Sequence, residues 1–235
     1  MGTIINAAAI IVATFIGVIF KRGLPEKIQK GVMVSLGLGL MALSLGWFLT
    51  DFFTIENGHV TSSGDLLIIV SLVIGVMIGE WIDIDGRLNR WAENVEKKYN
   101  LPPLARGFIA ATLIFCVGAM AIVGSIKDGL YGDMTTLLIK SALDFVTAMI
   151  LASVLGIGVI FSAVSVLIYQ GAITLLAMFG GELLSPEMIR SISMVGNILL
   201  IAIGINFMEL KRIKVANMLP ALIIPIIYHV IMLWI

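Results

Sequence analysis

Residues 145–181 read FVTAMILASVLGIGVIFSAVSVLIYQGAITLLAMFGG and contain no charged side chain. A helix needs about 20 apolar residues to cross the hydrocarbon core of a bilayer, so this run is too long for one crossing and suits two. Gly156 and Gly158, near its middle, are the natural residues for a tight turn. The stretch therefore predicts two membrane-spanning helices, at about 136–155 and 159–179.

The whole chain has the same character. Of its 235 residues 60% are apolar and 13% are charged, and the mean hydropathy is +1.09. Soluble domains carry about 25% charged residues, and a globule of this size cannot hide so much apolar surface from water. The composition excludes a soluble enzyme and predicts a single all-α integral membrane domain over residues 1–235, with the lipid bilayer as its partner. The six further spans lie at about 3–20, 31–50, 66–82, 104–126, 189–208 and 215–235, which makes eight.

Charge and cysteine content exclude several other classes. The 15 basic and 15 acidic residues balance, so there is no basic face for nucleic acid. The one cysteine, Cys116, excludes an intrachain disulfide and a cysteine zinc cluster. His59 and His229 are far apart in sequence, and neither has metal-ligand spacing. We predict no metal site and no cofactor.

Basic residues are concentrated in alternate loops, the ones that follow spans one, three and seven. Cytoplasmic loops carry an excess of Lys and Arg, so this bias places both termini outside a bacterial plasma membrane and favours an even number of spans. The residues concerned are Lys21, Arg22, Lys27, Lys30, Arg87, Arg90, Lys97, Lys98, Arg106, Lys211, Arg212 and Lys214.

The longest polar segment covers residues 83–106. Within residues 87–99, Leu88, Trp91 and Val95 recur at helical intervals among mixed charges. This pattern predicts an amphipathic helix on the cytoplasmic membrane surface. The same helix is the natural docking face if the protein binds a partner.

An internal similarity relates the starts of spans two and seven. Pro25 and Glu26 match Pro186 and Glu187 at a separation of 161 positions, and the same offset aligns four further identical pairs. Those pairs are Ile28 with Ile189, Met33 with Met194, Val34 with Val195, and Leu38 with Leu199. Because Pro followed by Glu suits any helix N-terminus, convergence also explains the match. A true repeat would relate spans 1–3 to spans 6–8 in inverted orientation, a plan that recurs in secondary transporters.

Ionisable groups inside spans are costly and are functional candidates by default. Lys140 and Asp144 lie four residues apart in span five, so they share a helix face and can pair. One interpretation is a neutralised pair near the outer interface, and the other is an ion or proton site. Amide and phenol groups in other spans can either line a polar path or bond helices together. They are Asn6, Tyr169, Gln170, Asn197 and Asn206.

Glycine and proline predict interruptions in several spans. A broken helix exposes backbone carbonyls that can coordinate a cation, and the simpler outcome is a kink. The predicted breaks are Gly37, Gly39, Gly156, Gly158, Pro220 and Pro225. Small residues also line span four, where they allow close packing within the chain or between two copies in a homodimer. They are Ala110, Ala111, Gly118, Ala119, Ala121 and Gly124.

Several runs resemble a bacterial membrane family catalogued as domain of unknown function 554. They are FCVGAMAIVGSI (115–126) followed by DGL (128–130), GIGVIFSA (156–163), YQG (169–171), VANMLPA (215–221), and the opening Gly2-Thr3 with Asn6. The resemblance covers essentially the whole chain. It implies a bacterial inner-membrane protein, with transport as the broadest expectation and no catalytic residue to carry over.

Three functions compete at this point. A small-solute or ion transporter or channel is favoured by the inverted repeat, the Lys140–Asp144 pair and the broken spans. A membrane scaffold or regulatory subunit would dock its partner through the helix at 87–99. A membrane enzyme is disfavoured, because the chain has no nucleophile elbow, metal-binding helix motif or phosphate-cradling loop.

Overall fold

The computed structural model describes residues 1–21, 25–56, 59–62, 64–99, 103–116, 119–180 and 185–232. In chain order the helices are α1 (Gly2–Lys21), α2 (Glu26–Phe52), α3 (Asp65–Ile82), α4 (Ile84–Tyr99), α5 (Ala105–Cys116), α6 (Ala119–Tyr131), α7 (Thr135–Leu155), α8 (Ser162–Gly180), α9 (Pro186–Phe207) and α10 (Ile223–Met232). A 3₁₀ segment precedes α8 at Ile157–Phe161, and another precedes α10 at Val215–Leu222. Strands β1 (Phe53–Glu56) and β2 (His59–Ser62) form an antiparallel hairpin between α2 and α3.

The described helices confirm the all-α membrane class. Seven described segments are long and apolar enough to cross a bilayer, where α10 counts together with the 3₁₀ segment before it. The bent pair α5–α6 makes an eighth when it counts as one crossing. Large apolar side chains such as Ile19, Trp81 and Phe179 are exposed along these helices. Water would penalise that surface, whereas lipid solvates it.

The uncharged run that opened the sequence divides as predicted. Helix α7 ends at Leu155, and Gly156 takes a φ of 84°, a left-handed conformation that costs glycine little. Gly158 lies in the following 3₁₀ segment, so close to Leu104 that a Cβ would overlap the Leu104 backbone. Helix α8 then runs back antiparallel to α7.

The chain forms two compact units. The first contains Met1–Met33 and Leu88–Leu183, and the second contains Val34–Arg87 and Leu184–Ile235.

Helices α1 and α7 run parallel at the centre of the first unit. Gly2 lies against Leu137, and Gly17 lies against Met149 and Ala152, so both ends of the two helices coincide. At the N-terminal end of α1, the Asp128 carboxylate accepts a hydrogen bond from the Gly2 N–H at 3.0 Å.

The span predicted at 104–126 is divided between α5 and α6, which are bent relative to each other. The two helices meet at 58°, across residues 117–118, which lie outside the described ranges. Thr112 of α5 donates to Ser165 of α8 at 3.2 Å, and Gly129 of α6 packs against Thr174 further along α8. Both halves therefore follow α8 in the same direction, as one crossing does.

The small residues of span four are used inside this unit. Ala110, Ala111, Ala121 and Gly124 are buried against the chain's own helices, while residue 118 and the side chain at 119 lie outside the description. A homodimer remains a prediction, and the small face that motivated it is already occupied where the structure describes it.

The second unit is built around two antiparallel contacts. Gly75 and Gly79 of α3 lie against Ala221 and Asn217 of the second 3₁₀ segment, where no Cβ fits. Helix α2 also runs antiparallel to α9. Gly37 lies against Gly204, and Asp51, further along α2, bonds Ser193, which is earlier in α9.

Two predicted helix breaks are absent. Helix α2 is continuous through Gly37 and Gly39, since a helix tolerates an isolated glycine at a cost of about 1 kcal/mol. Span eight changes from a 3₁₀ segment to an α-helix between Leu222 and Ile223. Pro220 lies inside the 3₁₀ segment, and Pro225 lies in the first turn of α10.

The predicted amphipathic segment is helical. Helix α4 starts at Ile84, three residues earlier than predicted, directly after Asp83, whose φ of 54° turns the chain sharply at the end of α3. The Asp83 carboxylate accepts from the Gly86 N–H at 3.2 Å and so caps the new helix. On the α4 surface, the Trp91 ring lies 5.8 Å from Phe108 and 6.2 Å from Phe161.

Candidate functional site

A buried ion pair lies inside the first unit. Lys140 Nζ is 2.5 Å from Asp144 Oδ2, and each residue is only 6% exposed. The pair forms because residues four apart share one face of α7, and that face packs against α1. Lys140 Nζ also lies 5.9 Å from the ring centre of Phe115 on α5. The structure thus places the pair among helices rather than on the lipid-facing surface of α7.

Two amide side chains extend the pair into a cluster. Asn6 of α1 donates from Nδ2 to Asp144 Oδ2 at 2.9 Å, and the same nitrogen is 3.5 Å from Gln170 Oε1 on α8. Both amides are fully buried. The carboxylate fixes the orientation of the Asn6 amide, because Asn6 Oδ1 cannot approach a carboxylate oxygen favourably. We call Lys140, Asp144, Asn6 and Gln170 the central cluster.

The central cluster leaves hydrogen-bonding capacity unused. Asn6 Oδ1 and Gln170 Nε2 are buried and have no hydrogen-bonding partner in the described part of the protein. The same holds for the hydroxyls of Thr3, one turn before Asn6, and Thr174, one turn after Gln170. A buried polar atom without a partner costs about 1–3 kcal/mol, and these four atoms on α1 and α8 keep donors and acceptors unused.

Of the predicted path residues, the structure groups Asn6, Lys140, Asp144 and Gln170. Tyr169 precedes Gln170 on α8, and its role in a path stays a prediction.

Asn206 belongs to the second unit and has a different task. Its Nδ2 donates to the Ile213 carbonyl at 2.8 Å, and its Oδ1 accepts from the Ile213 N–H at 2.7 Å. Both amide atoms are thus used to hold the segment between α9 and the second 3₁₀ segment. The role of Asn206 as a path residue stays a prediction, and in the structure its amide holds this segment in place.

Asn197 lies in a second polar set that the sequence did not reveal. Its Nδ2 donates to Ser193 Oγ at 3.4 Å, and Ser193 donates to Asp51 Oδ2 at 2.5 Å. Arg190 Nε donates to the Asp51 carbonyl, and Ser191 lies 3.0 Å from His229 Nε2. Span two was predicted to end before Asp51, and an isolated serine carries no signal, so only helix packing brings these groups together.

Metal binding finds no support in these clusters. Over the ranges that the structure describes, no group of three or more His, Cys, Asp or Glu side chains is arranged to hold a metal ion. The chemistry that the central cluster offers is hydrogen bonding and charge compensation.

Comparison with known proteins identifies the family. Residues 1–230 match the family described as "Protein of unknown function (DUF554)". The chain is similar to the "Uncharacterized membrane protein YdfK" of Bacillus subtilis (strain 168), at 34% identity over 95% of this chain and 93% of the relative. It is also similar to the "Uncharacterized protein YqgA" of Escherichia coli (strain K12), at 32% identity over 95% of this chain and 94% of the relative. No solved structure matches significantly. The chain belongs to the DUF554 family.

Proposed function

We propose that this member of the DUF554 family is a transporter or channel for a small solute or ion, and that its path passes the central cluster. The observation that carries the proposal is the buried Lys140–Asp144 pair with unsatisfied Asn6 and Gln170 atoms beside it. Polar groups inside a membrane domain are expensive to retain. Helix packing alone would be served more cheaply by apolar side chains.

The packing of the helices supports an inverted repeat. The predicted repeat pairs α1 with α8, α2 with α9, and α3 with the second 3₁₀ segment and α10. Each pair is in contact within its own unit and runs antiparallel, through Asn6–Gln170, Gly37–Gly204 and Gly79–Asn217 respectively. Antiparallel contact between partners is what a twofold axis in the membrane plane produces, and transporters often bind their solute beside such an axis.

We also propose a bacterial plasma membrane location with both termini outside. The two relatives named above are bacterial proteins, and the excess of Lys and Arg in alternate loops supports this orientation. The parallel contact between α1 and α7 supports the eight-span count. Three crossings separate α1 from α7 in the chain when α2, α3 and the bent pair α5–α6 each count once. After three crossings, α7 must cross in the same direction as α1.

The scaffold alternative has less support. It needs the apolar face of α4 to be free for a partner, yet Trp91 on that face packs against Phe108 and Phe161 of the same unit. A partner would have to displace these ring contacts or use only the charged face.

The test is flux into proteoliposomes that contain only this protein. Current and radiolabel uptake are recorded together for K⁺, Na⁺, Cl⁻, acetate, protons, glycerol and urea, so electroneutral transport is also seen. We expect flux in the wild type and its loss in Lys140→Met/Asp144→Asn, which removes both charges at once. Glu93→Gln, which neutralises an exposed carboxylate on α4, is the control and should keep wild-type flux.

Two other outcomes would change the proposal. Flux that persists in the double variant would remove the central cluster from the path and keep transport. Folded protein that moves none of these solutes would overturn the proposal and favour the scaffold alternative.

A further inference from the structure

We infer that the cargo is a small uncharged polar molecule that both donates and accepts hydrogen bonds, and that it reaches the central cluster from the end of the unit where α1 begins. The inference rests on the proposed function and specifies its substrate class. It draws on the charge balance of the cluster, the chemical identity of its unused atoms, and the layer of side chains that closes one side.

The central cluster carries no net charge that an ion could balance. Lys140 and Asp144 neutralise each other at 2.5 Å. Asp128, whose side chain is also buried, binds the amino group of Met1 at 2.9 Å. An added cation or anion would leave one uncompensated charge among buried helices, where the effective dielectric is low and the cost is high. An uncharged molecule adds no such cost.

The unused atoms include both a donor and an acceptor. Asn6 Oδ1 can only accept, and Gln170 Nε2 can only donate. A chloride ion would leave Asn6 Oδ1 unsatisfied, and a metal cation would be repelled by the Gln170 amide hydrogens. The Thr3 and Thr174 hydroxyls can do either. A molecule with hydroxyl or amide groups satisfies all four atoms together.

These atoms extend from the cluster in one direction only. Thr3 precedes Asn6 by one turn of α1, and Thr174 follows Gln170 by one turn of the antiparallel α8, so both hydroxyls lie toward the start of α1. In the opposite direction the next turns of α1, α7 and α8 present Ile10, Ala148 and Val166, all 0% exposed. The unused polar atoms therefore lie on one side of the central cluster, and an apolar layer lies on the other.

If the solute binds the Thr3 and Thr174 hydroxyls, removing either hydroxyl should slow its entry. Thr3→Val and Thr174→Val keep the side-chain shape and remove only a hydroxyl that bonds nothing in the described protein. Thr14→Val is the matched control, since Thr14 is fully buried on the same helix as Thr3 and its hydroxyl already donates to the Ile10 carbonyl at 2.7 Å.

The experiment is stopped-flow light scattering of proteoliposomes after a hyperosmotic step with glycerol or urea, alongside current under a KCl gradient and uptake of glycine. We expect protein-dependent glycerol or urea entry and no current. Thr3→Val and Thr174→Val should each slow entry about fivefold, the loss of roughly one hydrogen bond. In Thr14→Val, glycerol or urea should enter at the wild-type rate.

The outcomes separate this inference from the function on which it rests. A KCl current without glycerol or urea entry would overturn the uncharged cargo and leave transport standing, and uptake of glycine alone would overturn a cargo without charged groups. Equal rates in the Thr3, Thr174 and Thr14 variants would overturn the assigned route. Folded protein without any flux would overturn both the inference and the proposed function.

Discussion

Lys140 and Asp144 form an ion pair one turn apart on α7, at 2.5 Å, with 6% of each residue exposed. Each charge can be buried only because the other one neutralises it. The pair is also the only ionic link in the central cluster, since Asn6 and Gln170 contribute neutral amides. Its effects on stability and on transport can therefore be separated by removing one charge or both.

Asp144→Asn alone should lower the free energy of unfolding by about 3–5 kcal/mol, because it leaves the Lys140 ammonium buried without a counter-charge. Lys140→Met/Asp144→Asn should lie within about 1 kcal/mol of the wild type, since no buried charge remains. Thermal unfolding in detergent can be followed by labelling of Cys116, the chain's one cysteine, which is buried when folded. A double variant as unstable as the single one would show that the pair itself holds the unit together.

Gly79→Ala should destabilise the protein strongly, by about 2 kcal/mol or more. The added Cβ would overlap the Asn217 backbone, and backbone atoms cannot rotate away. Gly39→Ala is the matched control on α2. Nothing lies within 4 Å of its Cβ position, so better helix propensity should make the change neutral or stabilising by up to about 1 kcal/mol. The same unfolding assay measures both, and equal effects would contradict the close approach of α3 to the second 3₁₀ segment.

Asn206→Ala should release the segment that follows α9 without affecting flux. It removes both hydrogen bonds to Ile213, at a cost of about 1–3 kcal/mol. Trypsin should then cut faster in this segment, which carries Lys211, Arg212 and Lys214. Loss of flux with an intact fold and unchanged proteolysis would instead restore Asn206 to the solute path.

Labelling of single cysteines should report the orientation. In a Cys116→Ala background, His59→Cys in the α2–α3 hairpin should react with a membrane-impermeant maleimide on intact bacterial cells. Lys211→Cys, after α9, should react only once the cells are opened. Both positions are exposed in the structure, so access to water is matched. The reverse pattern would invert the proposed topology.

The bulk of the helical framework follows from local sequence. Whether a segment of about 20 residues enters a bilayer depends on the sum of its side-chain transfer energies, which can be read without knowing any partner. Gly156 ends α7 because of its own backbone freedom, and Pro186 starts α9 because of its own missing N–H. These residues behave as predicted since no distant contact is needed to explain them.

The features that the sequence did not reveal depend on neighbours far along the chain. Gly37 was predicted to break α2, but it lets α9 approach at Gly204. Asn6 and Asn206 are the same residue type within spans, yet one joins a buried carboxylate and the other clamps a loop. The bend between α5 and α6 and the hairpin of β1 and β2 likewise had no signal in an apolar run or a polar loop.

The sequence by itself determined that this protein is a helical membrane domain and where most of its spans lie, because burial in lipid is a property of each segment alone. Tertiary structure decided which polar side chains meet. Asn6 and Asp144 are 138 positions apart in the chain and become neighbours only when α1 packs parallel to α7. Apolar helices can pack in many ways at similar energy, so composition does not determine which helices pair. Small residues such as Gly2 and Gly17 determine the pairing, because they let α1 and α7 approach closely.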